Sequence, residues 1–199
     1  MGRQHLEVAC GTGTLLEMTM NWRRRNHLNN AMIHVTGVDY AERMLDGAKH
    51  RFRTCNQFEF LRADAANMNM FNDETFDTIN IANSIHCLPE VEKSLREMFR
   101  VLKEGGTCAG NVLLYSRGFW PFKQIAAAIN KWGIKRGILV TPFTEGEILD
   151  EISKAGFEIV WSEVSGNCLE FIARRPHAST IMTTEQHHQV DEFICSNEY

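Results

Sequence analysis

The chain has 199 residues, 44% of them apolar and 23% charged, with a formal net charge of −4. That length suits one compact α/β domain and leaves little for a second. The acidic balance argues against a protein that tracks nucleic-acid phosphates, since such binding needs a basic surface.

Short apolar runs alternate with helical patterns along the first two thirds of the chain. Leu6 to Ala9 is the first strand, and the helix after it carries apolar Leu15, Leu16 and Trp22 and ends in Arg23-Arg24-Arg25. Those arginines complement the negative end of the helix and are read as solvated. Ile33 to Val38 is the second strand, followed by Met44, Leu45, Ala48 and Phe52 on one helical face. Phe58 to Leu61 is the third strand and Phe76 to Ala82 the fourth. A helix striped by Val91, Leu95, Met98, Phe99 and Leu102 follows, and Gly105-Gly106 is expected to turn the chain into a fifth strand over Thr107 to Tyr115. Strands separated by helix-length segments imply a parallel sheet covered on both faces.

The last third differs. Residues 116–143 form an insert rich in aromatic residues, with Phe119, Trp120, Phe122 and Trp132. It suits a roof over an apolar ligand, a core-covering helix or a partner surface. Thr144 and Glu147 have capping-box spacing before Ile148, Leu149 and Ile152, and Gly156 ends that helix. Phe157 to Val164 and Cys168 to Arg174 flank Gly166-Asn167, which predicts an antiparallel hairpin. The domain is expected to end near residue 175, leaving a polar, His-rich tail over 176–199. Its His187-His188 pair is weak evidence for a metal, and no metal is expected. The six cysteines are scattered without a CxxC pair, which reads as reduced thiols of a cytoplasmic protein. No apolar run reaches membrane-spanning length, and Met1 to Gln4 has no signal core, so stable membrane insertion is not expected.

The chemistry concentrates in "HLEVACGTGTLL", residues 5–16. Cys10 to Thr14 is the turn at the carboxyl end of the first strand, where ligands of such sheets bind. Gly11 and Gly13 lack Cβ atoms, so a ligand can approach their backbone closely. Glu7 just before the loop would repel a pyrophosphate but attract an ammonium or sulfonium. A dinucleotide fingerprint would need glycine where Leu16 stands, so Leu16 and Glu7 both speak against a nicotinamide oxidoreductase. Asp39 ends the second strand, placed either to accept from both ribose hydroxyls or to cap the next helix. Asp64 closes the third strand, either near an adenine amino group, with Tyr40 and Met44 as apolar cover, or in a solvated turn.

Five blocks carry a resemblance: "LEVACGTGTLL", "VTGVDYAERMLDGA", "FLRADA", "FDTINIANSIHCLPE" and "SLREMFRVLKEGGT". Together they resemble the class I S-adenosylmethionine-dependent methyltransferases, and among these the small-molecule subgroup that includes the ubiquinone/menaquinone C-methyltransferases. The resemblance implies an α/β, doubly wound, Rossmann-like three-layer sandwich, with a mostly parallel seven-stranded sheet whose last strand is antiparallel. It implies S-adenosylmethionine as cofactor and a small-molecule methyl acceptor. Glu7, Gly11 and Gly13 then border the methionine part, Asp39 holds the ribose, Tyr40 and Met44 flank the adenine, and Asp64 with Ala65 meets its edge. Ala82 and Asn83 lie near the reacting sulfonium. His86 faces the substrate pocket as the candidate general base, or else packs as a hydrogen-bonded corner residue.

Two positions depart from the family pattern. Ala9 stands where the family has its first loop glycine, which is tolerable if its φ is negative. The family also places one or two helices before the first strand, where this chain has Met1 to Gln4: either this is a shortened chain, or another segment covers the cofactor, with the 116–143 insert and the tail as the candidates. The alternative to an active methyltransferase is a cofactor-binding homologue kept as a partner or regulatory subunit. Self-association into a homo-oligomer is left open.

Overall fold

The computed structural model describes residues 1–30, 32–115 and 143–177, with Gln124 and Lys135. The strands are β1 (Gln4–Val8), β2 (His34–Asp39), β3 (Phe58–Arg62), β4 (Phe76–Ile81), β5 (Leu102–Leu113), β6 (Glu158–Ser165) and β7 (Cys168–Arg174). The helices among the described residues are α1 (Thr14–Arg25), α2 (Glu42–Arg51), α3 (Val91–Val101) and α4 (Glu145–Lys154), with a single 3₁₀ turn over Ile85–Cys87.

One seven-stranded sheet runs in the order β3-β2-β1-β4-β5-β7-β6. The ladders from β3 through β5 are parallel. β7 is antiparallel to both of its neighbours, β5 and β6. The expected hairpin is present: Ser165 pairs with Cys168 across Gly166-Asn167, and Gly166 has φ +59°. The central strand β1 is buried over four consecutive residues because both faces of the sheet are covered.

The helices account for that cover. On one face Leu16 of α1 and Leu45 and Ala48 of α2 pack with Val35, Phe52 and Phe60. On the other, Leu95, Met98 and Val101 of α3 and Ile148 and Ile152 of α4 pack with Leu6, Val8 and Ile79. The result is the expected three-layer doubly wound sandwich. The capping box of α4 forms as its spacing requires: the Glu147 amide donates to Thr144 Oγ1 at 3.3 Å, and the Thr144 amide donates to Glu147 Oε2 at 2.8 Å.

The start of β5 departs from expectation. Gly105-Gly106 does not turn the chain into the strand but lies inside it. Phe76 pairs with Leu102 and Thr78 with Thr107, so the β5 side bulges between these pairs. Gly105 takes φ +72° in the bulge. The chain after β7 pins it: the Gly105 amide donates to the Arg175 carbonyl at 2.8 Å, and the Arg175 amide donates to the Gly106 carbonyl at 3.0 Å. A bulge needs a glycine as a turn does, and only its long-range partner distinguishes them.

The sheet order reverses between β1 and β4, which opens a crevice at the carboxyl ends of the strands. The 116–143 insert lies outside the described residues apart from Gln124, Lys135 and Phe143, and so does the tail beyond His177.

Candidate cofactor site

A cavity of about 780 Å³ occupies that crevice. It unites Gly11, Asp39, Tyr40, Met44, Asp64 and Ala65 from three separate strand ends. Each is one of the residues singled out in the sequence.

The loop after β1 supplies the floor. Gly11 has φ +56°, and a Cβ built on it would meet nothing within 4 Å. Its amide donates to Asp39 Oδ2 at 2.7 Å, and the Ala41 amide donates to Asp39 Oδ1 at 2.8 Å. Asp39 therefore ties the glycine loop to the start of α2. It does not cap α2, whose N-cap is Ala41. Gly13 serves differently. It caps α1 at φ +72°, and a Cβ there would sit 2.9 Å from the Phe52 ring, so its bare backbone receives a core aromatic and not the cavity.

Ala9 also lines the cavity, at φ +52°. The condition under which alanine would be tolerated there without strain, a negative φ, is not met. The loop geometry demands a left-handed residue, and an L-residue pays about 1–2 kcal/mol to comply. Sequence could have found this, since glycine usually stands where that conformation is required.

Asp64 accepts from the Ala66 amide at 2.9 Å through Oδ1, which leaves its second oxygen for other donors. Tyr40 and Met44 are 68% and 47% exposed at the rim. Apolar side chains left in solvent beside a cavity suit cover for a flat ligand. The Arg62 guanidinium lies over the Tyr40 ring, 5.3 Å from its centre, a cation–π contact.

Glu7, Ala82 and Asn83 lie outside the main cavity. Glu7 is 5% exposed. It lines a neighbouring cavity of about 200 Å³ with His5, Thr78 and Asn80. Ala82 and Asn83 line a groove of about 320 Å³ that also contains Asn80. Asn83 takes φ +54° and exchanges two hydrogen bonds with the Asn111 side chain, at 2.6 and 2.8 Å. An asparagine tolerates this conformation better than most residues.

His86 sits in the 3₁₀ turn between Ser84 and Cys87, which both face the cavity. Its own ring points toward β5, where the Leu113 amide donates to Nδ1 at 3.2 Å. Burial lowers its pKa from 6.5, so the imidazole is neutral at pH 7. With Nδ1 accepting, the remaining proton is on Nε2. His86 is thus arranged to donate from Nε2, and its lone pair is committed to backbone.

Sequence reasoning missed Cys87, Leu88 and Pro89, which close one side of the cavity. The signal was the "HCLPE" run, from which only the histidine was drawn. Burial first, then the Asp39 and Glu7 charges, push the Cys10 thiol up to about 12, which disfavours its thiolate. No group of three or more metal-ligating side chains occurs among the described residues. No described helix is long and apolar enough to cross a membrane.

An anion-rimmed, glycine-floored cavity of this size, with apolar side walls, fits a nucleoside bearing a cationic substituent. The comparisons with known proteins agree. A family described as "Methyltransferase domain" matches residues 6–110. Demethylmenaquinone methyltransferase from Leptospira interrogans is 34% identical over 88% of this chain and 76% of its own length. The same enzyme from Clavibacter sepedonicus is 33% identical over 53% of this chain but only 39% of its own length. The chain thus spans about two fifths of the length of several curated relatives it matches. Among solved structures, a methyltransferase from Bacillus halodurans superposes with a TM-score of 0.69 at 18% identity, covering 87% of this chain and 93% of the other. The methyltransferase in a Haloferax volcanii complex with the Trm112 activator superposes with a TM-score of 0.69 at 16% identity, covering 87% and 83%. With fold, loop and cavity in agreement with these matches, the chain belongs to the class I S-adenosylmethionine-dependent methyltransferases, with S-adenosylmethionine as its cofactor.

Proposed function

We propose that the protein transfers a methyl group from S-adenosylmethionine to a small, apolar acceptor of the quinol type. One observation carries the reading: the cavity gathers carboxylates from the ends of two adjacent strands around a loop glycine open to solvent. The names of the curated relatives support the acceptor class.

In this reading the Asp39 carboxylate accepts from the ribose hydroxyls with lone pairs its two backbone donors leave over. Tyr40 and Met44 close over the adenine, and Asp64 and Ala65 meet its edge. Gly11 lets the methionine portion lie against the loop, and Glu7 attracts its ammonium. Ala82 and Asn83 border the reacting end. The bound cofactor supplies an already activated methyl group on a sulfonium. The chain's own work is therefore alignment and exclusion of water, and alignment of this kind is worth about 7–11 kcal/mol of a barrier. His86 contributes as a donor from Nε2 that orients an acceptor oxygen. The general-base role is not the one its Nδ1 contact favours. An inactive cofactor-binding homologue is the weaker reading, because Gly11, Asp39, Tyr40, Met44, Asp64 and Ala65 still line one cavity.

The test is calorimetric. The wild-type chain should bind S-adenosylhomocysteine and not NAD. Asp39→Ala should weaken that binding at least tenfold with the circular dichroism spectrum retained. Labelled methyl transfer to a reduced naphthoquinone then tests the acceptor. Binding of NAD in place of S-adenosylhomocysteine would overturn the proposal, and unchanged affinity in Asp39→Ala would remove the ribose role.

A further inference from the structure

Between β1 and β4 lies a buried polar chain that the cofactor contacts do not by themselves explain. His5 and Glu7 are neighbours on one face of β1, and Thr78 and Asn80 stand opposite them on β4. His5 and Glu7 are 3% and 5% exposed. The Gly2 amide donates to Thr78 Oγ1 at 2.9 Å. Thr78 Oγ1 lies 2.7 Å from His5 Nδ1, and His5 Nε2 lies 3.1 Å from Glu7 Oε1. The Asn80 side-chain Nδ2 donates to Glu7 Oε2 at 2.9 Å.

The carboxylate fixes one end of the chain. A carboxylate only accepts, so Nε2 carries a proton and donates to Glu7. Nδ1 shares a hydrogen bond with the Thr78 hydroxyl, whose oxygen also accepts from Gly2. Every donor in the series has one acceptor, and each Glu7 oxygen receives one hydrogen bond. Two donors from two strands fix the plane of a carboxylate that is only 5% exposed and still lines a cavity. Partly satisfied networks of this kind are costly in a low-dielectric interior, and fully satisfied ones hold a single geometry.

Asn80 connects this chain to the reacting end of the site. It lines the cavity that contains Glu7 and the groove that contains Ala82 and Asn83. We infer that His5 is a positioning residue: acting through Glu7, it holds the carboxylate where it receives the ammonium of the cofactor's methionine portion. The assignment rests on the methyltransferase reading. It adds a residue outside the cofactor's reach, whose effect is confined to the amino-acid end of the ligand.

That confinement provides the test. S-adenosylhomocysteine carries the amino-acid end, whereas 5′-methylthioadenosine has the same nucleoside and thioether without it. His5→Val should weaken S-adenosylhomocysteine ten- to thirtyfold by calorimetry and change 5′-methylthioadenosine by less than twofold. His5→Gln, which keeps a donor toward Glu7, should recover S-adenosylhomocysteine affinity to within about threefold of wild type. In a Glu7→Gln background the His5→Val change should add less than threefold, because the two act as one unit. The nucleoside ligand doubles as a control for folding. Equal weakening of both ligands in His5→Val would show a merely structural role and overturn the assignment, as would unchanged S-adenosylhomocysteine affinity. A wild-type chain that binds neither ligand overturns the methyltransferase reading itself, and the assignment with it.

Discussion

The two loop glycines are predicted to fail in opposite ways when given a methyl group. At Gly13 the added Cβ sits 2.9 Å from Phe52 Cε2. That ring cannot swing aside easily, because it stacks on Phe58 at 4.4 Å and leans on Phe60 at 5.5 Å between centroids. Gly13→Ala therefore incurs about 1–2 kcal/mol for a left-handed alanine and about 1–3 kcal/mol for overpacking. Reduced freedom of the unfolded chain returns about 0.4–1 kcal/mol. The net loss is about 1–4.5 kcal/mol, and at about 2–4 °C per kcal/mol for a chain of this length the melting temperature should drop accordingly. At Gly11 the same methyl meets nothing within 4 Å, so only the backbone strain remains and stability should fall by about 1 kcal/mol. That methyl, however, lies beside the space a cofactor would fill. Gly11→Ala should weaken S-adenosylhomocysteine at least tenfold, whereas Gly13→Ala, measured below its melting transition, should weaken it much less. Urea denaturation and calorimetry on both variants decide the matter. If Gly11→Ala is destabilised as much as Gly13→Ala, or if Gly13→Ala keeps wild-type stability, the division of labour argued for the loop is wrong.

Two further predictions concern single residues of the site. Ala9→Gly should raise stability by about 0.5–1 kcal/mol in denaturant titration, since relief of the left-handed strain outweighs the added flexibility of the unfolded chain; a loss of stability would refute the strain. The burial-lowered pKa of His86 means the unfolded chain takes up its proton first as pH falls. Its contribution is full above about pH 7.5 and declines as pH drops below 6.5. His86→Asn should therefore show a shallower fall in melting temperature between pH 7.5 and 5.5 than wild type, and identical slopes would exclude the effect.

Much of this protein is legible from its residues in order. The alternation of apolar runs with helical stripes identified each strand of the sheet, because strands that face a covered layer carry apolar residues at their buried positions. Thr144 and Glu147 announced their capping box, and Gly166-Asn167 its hairpin, since both devices are local and close within a few residues. Asp39 and Asp64 could be expected to share one cavity because strand ends at one rim of a parallel sheet point to one place. Other features depend on partners distant in sequence. Gly105 reads as a turn until Arg175 closes on it from the far end of the domain. Gly13 reads as a ligand contact until Phe52 fills the space in front of it. His86 reads as a base until the Leu113 amide takes its Nδ1 lone pair. His5 gave no sequence signal, because a histidine in a strand has no meaning before Thr78 is laid beside it. Local conformational preference and hydrophobic period decided the elements. Which lone pairs and which faces remained available for chemistry was decided only when the strands came together, since hydrogen bonds and steric contact act through space and not along the chain.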